Sequence, residues 1–220
     1  MAITVEVWGD YACFSRPEMK VERVSYDVMT PSAARGLLEA IYWHPGLKWV
    51  IDKIRVCAPI RFTSVRRNEI GKKASAQNAK EAMETSKPIS IVASDNIAQR
   101  AALVLRDVRY VIEAHFDMTP MAGEGDNPGK FQDIMRRRLA KGQCYHQPCF
   151  GTREFPANFR ACNQETVSSC PELAGERDLG WMLYDMDYSN PADIKPRFFR
   201  ARLVDGVMVV PPQDSEEVVE

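Results

Sequence analysis

The sequence predicts an α+β fold in which two helices cover one face of an antiparallel sheet, and three observations carry that prediction. Several segments alternate apolar and polar residues with the period of two that belongs to strands. Two others carry apolar residues at helical spacing between recognisable start and stop signals. The order of these segments along the 220 residues is strand, helix, strand, insertion, strand, helix, strand. That is the βαββαβ order of the ferredoxin-like plan, shared with RNA-recognition (RRM-like) domains.

The first strand is read at residues 3–8, where Ile3, Val5 and Val7 alternate with Thr4, Glu6 and Trp8. A long polar and aromatic loop follows as far as Met29. Thr30 is a suitable helix cap, Pro31 suits the first helical position, and Leu37, Leu38 and Ile41 form the apolar stripe before Pro45 and Gly46 stop the helix. Residues 47–60 alternate and are rich in β-branched side chains, so they form a second strand that Pro59 interrupts.

Residues 60–103 are expected to be an insertion, with a basic strand-like piece, a polar stretch of helical potential and a return segment. The third strand is residues 108–118, where Tyr110, Ile112, Ala114 and Phe116 alternate with Val111, Glu113, His115 and Asp117. Residues 129–142 form the second helix, with Phe131, Ile134, Met135 and Leu139 on one face and arginines on the other. Residues 143–151 are read as a short fourth strand. The expected first domain is therefore 1–152. Residues 153–220 are read as a small C-terminal β-rich domain, including a hairpin that turns at Asp205 and Gly206 and ending in a frayed acidic tail.

An apolar fraction of 45% and a charged fraction of 27% place the chain among globular proteins rather than disordered ones. No run has the apolar length of a membrane span, and the N-terminus enters a strand without a secretory leader, so the expected location is the cytoplasm. Cys144, Cys149, Cys162 and Cys170 gather near His146, but without the C-x-x-C knuckle typical of structural zinc sites. The reading is thus no metal and no cofactor. The formal net charge is −1, so nucleic-acid binding rests on local clusters. Candidate phosphate contacts are Arg16, Lys20, Arg23, Arg66, Arg67, Arg136, Arg137 and Arg138. Tyr11, Phe14 and Tyr26 either stack on bases or anchor the first loop.

Residues 8–45, with Trp8–Ala12, the Pro17–Lys20 pair, Val24–Val28, Thr30–Gly36 and Ala40–Trp43, resemble the N-terminal signature of the Cas-five family of type I-C CRISPR systems. Residues 66–71 and 109–116 extend the resemblance. It implies a member of the repeat-associated (RAMP) RNA-binding superfamily on a ferredoxin-like fold. It further implies an endoribonuclease that cuts the repeat hairpin of CRISPR precursor RNA. The product's 5′ handle then stays bound inside a surveillance complex with other subunits. By the same resemblance Tyr42 and His115 match the family's catalytic tyrosine and histidine. The family's lysine just upstream of that histidine has no match, since Glu113 and Ala114 stand there.

Such residues suit metal-independent chemistry in which the RNA 2′-hydroxyl attacks the adjacent phosphate. The reaction needs a base, an acid and a positive charge. His115 suits proton transfer at neutral pH, whereas Tyr42 suits hydrogen-bond donation. His44, two residues from Tyr42, is the candidate for the supporting charge, with Lys48 or a nearby arginine as substitutes. Glu113, two residues from His115 on the same strand face, is expected to orient that imidazole. The rival reading is a non-catalytic architectural subunit that holds the crRNA handle, with duplex DNA as a further partner.

Overall fold

The computed structural model describes residues 2–19, 22–86, 88–162 and 167–220. Its centre is a run of antiparallel strands: β1 (Ile3–Ala12), β3 (Leu47–Val56), β5 (Ile97–Met118) and β6 (Asn158–Ala161), in the spatial order β3-β5-β1-β6. Helices α1 (Pro31–Ile41) and α3 (Pro128–Lys141) pack on one face, where Phe131 of α3 lies 6.0 Å from Phe116 of β5 and 6.2 Å from Tyr42 just after α1.

Both helices start and stop as their sequences require. The Thr30 hydroxyl accepts from the Ala33 amide at 3.2 Å, and the Asn127 side chain accepts from the Lys130 amide at 2.9 Å. Each helix has proline in its first turn, and Gly142 ends α3 in the left-handed conformation.

The expected insertion is an extension of the central sheet. β4 (Phe62–Ile70) pairs along β5 from Phe62–Leu105 to Ile70–Ile97, with α2 (Ala76–Thr85) at the far end of this arm. The return segment and third strand are thus one strand of 22 residues. By sequence the two are separate, the insertion ending at 103 and the strand starting at 108. The break is only a local irregularity, with Asp107 at φ 54° while pairing resumes on both sides. The short strand β2 (Arg23–Val24) runs parallel to β5 on the same stretch.

Residues 143–151 are not a strand. Tyr145 and His146 donate backbone hydrogen bonds to the Ala40 carbonyl at the end of α1, and only an isolated bridge joins Cys149 to Pro156. Pro148 supplies no amide, and the chain turns at Gly151 (φ 80°), where a Cβ would come 2.0 Å from the Cys13 carbonyl oxygen. The strand beside β1 is β6 instead, from the segment read as irregular.

The C-terminal strands β7 (Glu176–Asp187), β8 (Lys195–Val204) and β9 (Val207–Val209) continue the same sheet, because β9 pairs with both β8 and β3. The turn at Asp205–Gly206 has both residues at positive φ (50° and 74°), as a tight hairpin favours. The expected frayed tail is ordered: β10 (Val218–Val219) pairs with β8 and buries Val218. β7 is tied down by the Tyr26 hydroxyl, which accepts from the Leu183 amide at 3.2 Å. Asp185 accepts from Arg35 of α1 at 2.7 and 2.9 Å. Among the described residues no helix is long and apolar enough to cross a membrane.

On the face away from the helices, Glu6 is buried with one oxygen 2.6 Å from Arg109 and the other 2.6 Å from Arg160. Burial pushes its pKa up, but hydrogen bonds and charge from Arg160 and Arg109 outweigh that and hold it below the ordinary value of 4.5. The pair therefore stabilises the fold fully above that value, and the contribution is lost as pH falls through the lowered folded value. Replacing both arginines with alanine strands the Glu6 carboxylate and should lower the melting temperature at pH 7 by roughly 6–12 °C. Melting curves from pH 7 to pH 3 should show the gap between variant and parent narrowing as Glu6 protonates.

Candidate functional site

β9 pairs with β3 only over Lys53–Arg55, so the Leu47–Ile51 half of β3 has a strand partner on its β5 side alone among the described residues. A cavity of about 740 Å³ runs round this edge. Pro31, Arg35 and Glu39 of α1 line it on the helix side, and Asp52 and His115 line it on the other. Tyr184, Tyr188 and Pro211–Asp214 complete its walls.

His115 lies opposite Val50, on the sheet face away from the helices, because its neighbours Ala114 and Phe116 face the core. Its side chain is 38% exposed, its Nδ1 is 2.8 and 3.0 Å from the two Asp52 oxygens, and its Nε2 is 3.9 Å from Asp117. The expected partner, Glu113, is engaged elsewhere: it lies 3.7 Å from Lys53 and 3.9 Å from Arg55. The cause is a bulge in β3. Ile51 pairs with Ala114 and Lys53 with Glu113, which leaves Asp52 as the extra residue on the His115 face.

Tyr42 and His44 form a separate cluster round Phe131. Tyr42 is 5% exposed, its carbonyl accepts from the Trp49 indole at 2.9 Å, and the Arg138 guanidinium lies 5.0 Å from its ring centre. Burial pushes the Tyr42 hydroxyl above its ordinary pKa. The His44 ring lies 4.9 Å from Phe131, and its Nδ1 accepts from the Gly46 amide at 3.0 Å. The Asp126 carboxylate, 3.8 Å from His44, is held below its usual pKa by Lys130 and the Gly123 amide. The structure therefore brings Tyr42 and His44 together and puts His115 on the opposite face of the sheet.

The candidate basic residues separate into engaged and open groups. Arg16 pairs with Asp27 at 3.1 Å and lies over Tyr26, Arg23 pairs with Glu69 at 2.6 Å, and Arg67 pairs with Glu154 at 3.0 Å. Arg66 makes no ion pair among the described residues, and Lys20 lies outside them. Within α3, Arg136 lies 3.8 Å from Asp133 on an exposed surface. Arg137 reaches only its own helix, and Arg138 turns inward to donate to the Ile41 carbonyl at the end of α1. Phe14 and Tyr26 are buried anchors, whereas Tyr11 is exposed beside Phe155. Lys48 donates to Gln213 across the cavity rim. All six cysteines are free thiols, and among the described residues no group of three or more His, Cys, Asp or Glu side chains is placed to hold a metal.

Sequence reading missed Asp52. Its signal is a broken alternation: Trp49 and Ile51 face the core, two consecutive polar residues follow, and Ile54 returns to the core. Two adjacent polar residues where one is due is how a bulge reads in sequence.

A family profile described as CRISPR-associated protein (Cas_Cas5) matches residues 2–211. A curated protein of Mannheimia succiniciproducens, named CRISPR pre-crRNA endoribonuclease Cas5d, is 53% identical over 98% of this chain and 97% of its own. A Thermus thermophilus protein of the same name is 40% identical over 98% of this chain and 94% of its own. A solved structure titled "Crystal Structure of CRISPR-associated Protein" superposes with a TM-score of 0.72 at 24% identity, covering 100% of this chain and 97% of that one. The last likeness concerns the fold.

The split within the arginine cluster gives a direct test. Arg138→Ala removes a charged hydrogen bond and a ring contact that join α3 to α1, and should cost about 1–2 kcal/mol in denaturant unfolding. Arg136→Ala and Arg137→Ala should each stay within about 0.5 kcal/mol of the parent.

Proposed function

Because the chain belongs to the CRISPR-associated Cas5 family, we propose that it cleaves CRISPR precursor RNA within the repeat hairpin and keeps the 5′ handle. It then serves as a subunit of the type I-C surveillance complex. The observation that carries this reading is the 53% identity, along nearly the whole length of both chains, to a protein named as a pre-crRNA endoribonuclease. We read β1-α1-β3 and β5-α3-β6 as a ferredoxin-like unit within residues 1–161, which the order β3-β5-β1-β6 supports. The β7–β10 strands are a C-terminal β-rich addition to it.

The proposed chemistry is metal-independent attack by the 2′-hydroxyl. His115 transfers the proton, since its ring is open on the cavity and one nitrogen is already fixed. Tyr42, with its hydroxyl raised by burial, is a neutral phenol at physiological pH and acts as a hydrogen-bond donor rather than a base. His44 stands beside it as a second donor through Nε2, since its Nδ1 accepts from the Gly46 amide. The cavity that bends round the free edge of β3 offers RNA a place beside His115, and Trp49 on its wall hydrogen-bonds to the Tyr42 carbonyl. Lys53 and Arg55 bring cations to the His115 face, where the family lysine is absent.

The separation of Tyr42 from His115 favours a second reading, an architectural subunit that binds the handle without cutting it. Single-turnover cleavage of repeat RNA at saturating protein separates the two. On the first reading cleavage persists in EDTA and stops with a deoxyribose at the scissile nucleotide. His115→Ala and Tyr42→Phe then slow it about a hundredfold while affinity stays within a few-fold, and His44→Ala slows it less. An inert wild type, or a His115→Ala variant as fast as wild type, removes the catalytic assignment.

Binding gives an independent measurement. If Arg136 and Arg137 contact phosphates, replacing both with alanine should make the log–log salt slope of RNA affinity shallower by about 1.4, at about 0.7 per single-strand contact. An unchanged slope means that these two side chains are only solvated.

A further inference from the structure

We propose that Asp52 is a positioning residue that fixes the tautomer and orientation of His115; this rests on the catalytic reading of His115 given above. Four observations support it. Both carboxylate oxygens of Asp52 lie within hydrogen-bond distance of His115 Nδ1, at 2.8 and 3.0 Å. An ionised carboxylate only accepts, so the hydrogen of that contact sits on Nδ1. In the neutral ring Nε2 is then the nitrogen left to take or return a proton. Nε2 has no hydrogen-bond partner among the described residues, the nearest carboxylate being Asp117 at 3.9 Å.

The backbone delivers this contact through an irregularity. In a regular strand one residue, not two, would separate Ile51 from the next core-facing position. The bulge adds Asp52 on the outer face, between Val50, which is opposite His115, and Lys53, which is opposite Glu113, and so within reach of the His115 ring. The bulge is itself clamped, because the Asp52 carbonyl accepts from the Val210 amide at 3.0 Å just beyond β9. Finally, Asp52 and His115 line the same cavity, so the fixed ring borders the space where substrate would sit. Asp52 does not touch that substrate. It acts through His115, as carboxylates that orient an imidazole do elsewhere.

The test is made on the full chain with ¹⁵N-labelled histidine. The three histidines are separated by comparing wild type with His115→Gln. Above the titration range of the ring, the His115 resonances should report hydrogen on Nδ1. In Asp52→Asn, whose amide can donate to Nδ1, the ring should shift towards hydrogen on Nε2. Single-turnover cleavage should fall by at least about tenfold, with RNA affinity within threefold. Asp52→Glu, which keeps the acceptor, should recover part of both signals. A wild-type ring with hydrogen on Nε2, a tautomer unchanged in Asp52→Asn, or full cleavage by Asp52→Asn when His115→Ala is inactive overturns the role of Asp52 alone. Full cleavage by His115→Ala overturns the catalytic reading itself, and any role of Asp52 in the reaction with it.

Discussion

The register of β5 is the constraint on which the rest of the molecule depends. This one strand hydrogen-bonds to β1, β2, β3 and β4, and its alternation decides what faces the helices. With Tyr110, Ile112, Ala114 and Phe116 turned to the core, Val111, Glu113, His115 and Asp117 must turn away. A slip of one residue would exchange the two sets, burying a histidine and two carboxylates against Phe131 and Trp49. The position of His115 is therefore enforced by the burial of its neighbours rather than by any contact of its own.

That enforcement explains which parts of the chain were legible. The alternation in β1, β3 and β5, the Thr30 helix start and the Asp205–Gly206 turn are local signals with local causes, and each is read correctly from composition and spacing; the Asn127 cap of α3 and the buried face of β5 come from the structure. The fourth strand beside β1 is different. Residues 143–151 have suitable side chains but are drawn to the end of α1 by backbone hydrogen bonds, while the short Asn158–Ala161 segment pairs with β1. Partner choice of that kind depends on residues more than a hundred positions away, and no local pattern carries it. The long β5 was divided between the insertion and residue 108 for a similar reason, since pairing with β4 and β1 on both flanks carries the strand through Arg106 and Asp107.

The candidate site divides along the same line. Tyr42 and His115 were proposed from the family resemblance and His44 from its nearness to Tyr42, but only the fold assigns them to opposite sheet faces. Asp52 lay inside a strand and was hidden by the assumption of perfect alternation. For the basic clusters, charge in sequence does not reveal its counter-charge. Arg16, Arg23 and Arg67 meet carboxylates, and Arg138 meets a helix-end carbonyl and an aromatic ring. What the sequence presents as three equivalent arginines becomes one structural clamp and two surface cations.

The termination of β9 shapes the cavity more than any side chain that lines it. Val210 donates the last amide of that edge to Asp52, and the next two residues, Pro211 and Pro212, have no amide hydrogen to give. A pair of ordinary residues there would let the zipper between β9 and β3 run on past Ile51 and fill the groove with backbone. The two prolines act as a slider stop, and they hold the seam open where His115 borders the cavity.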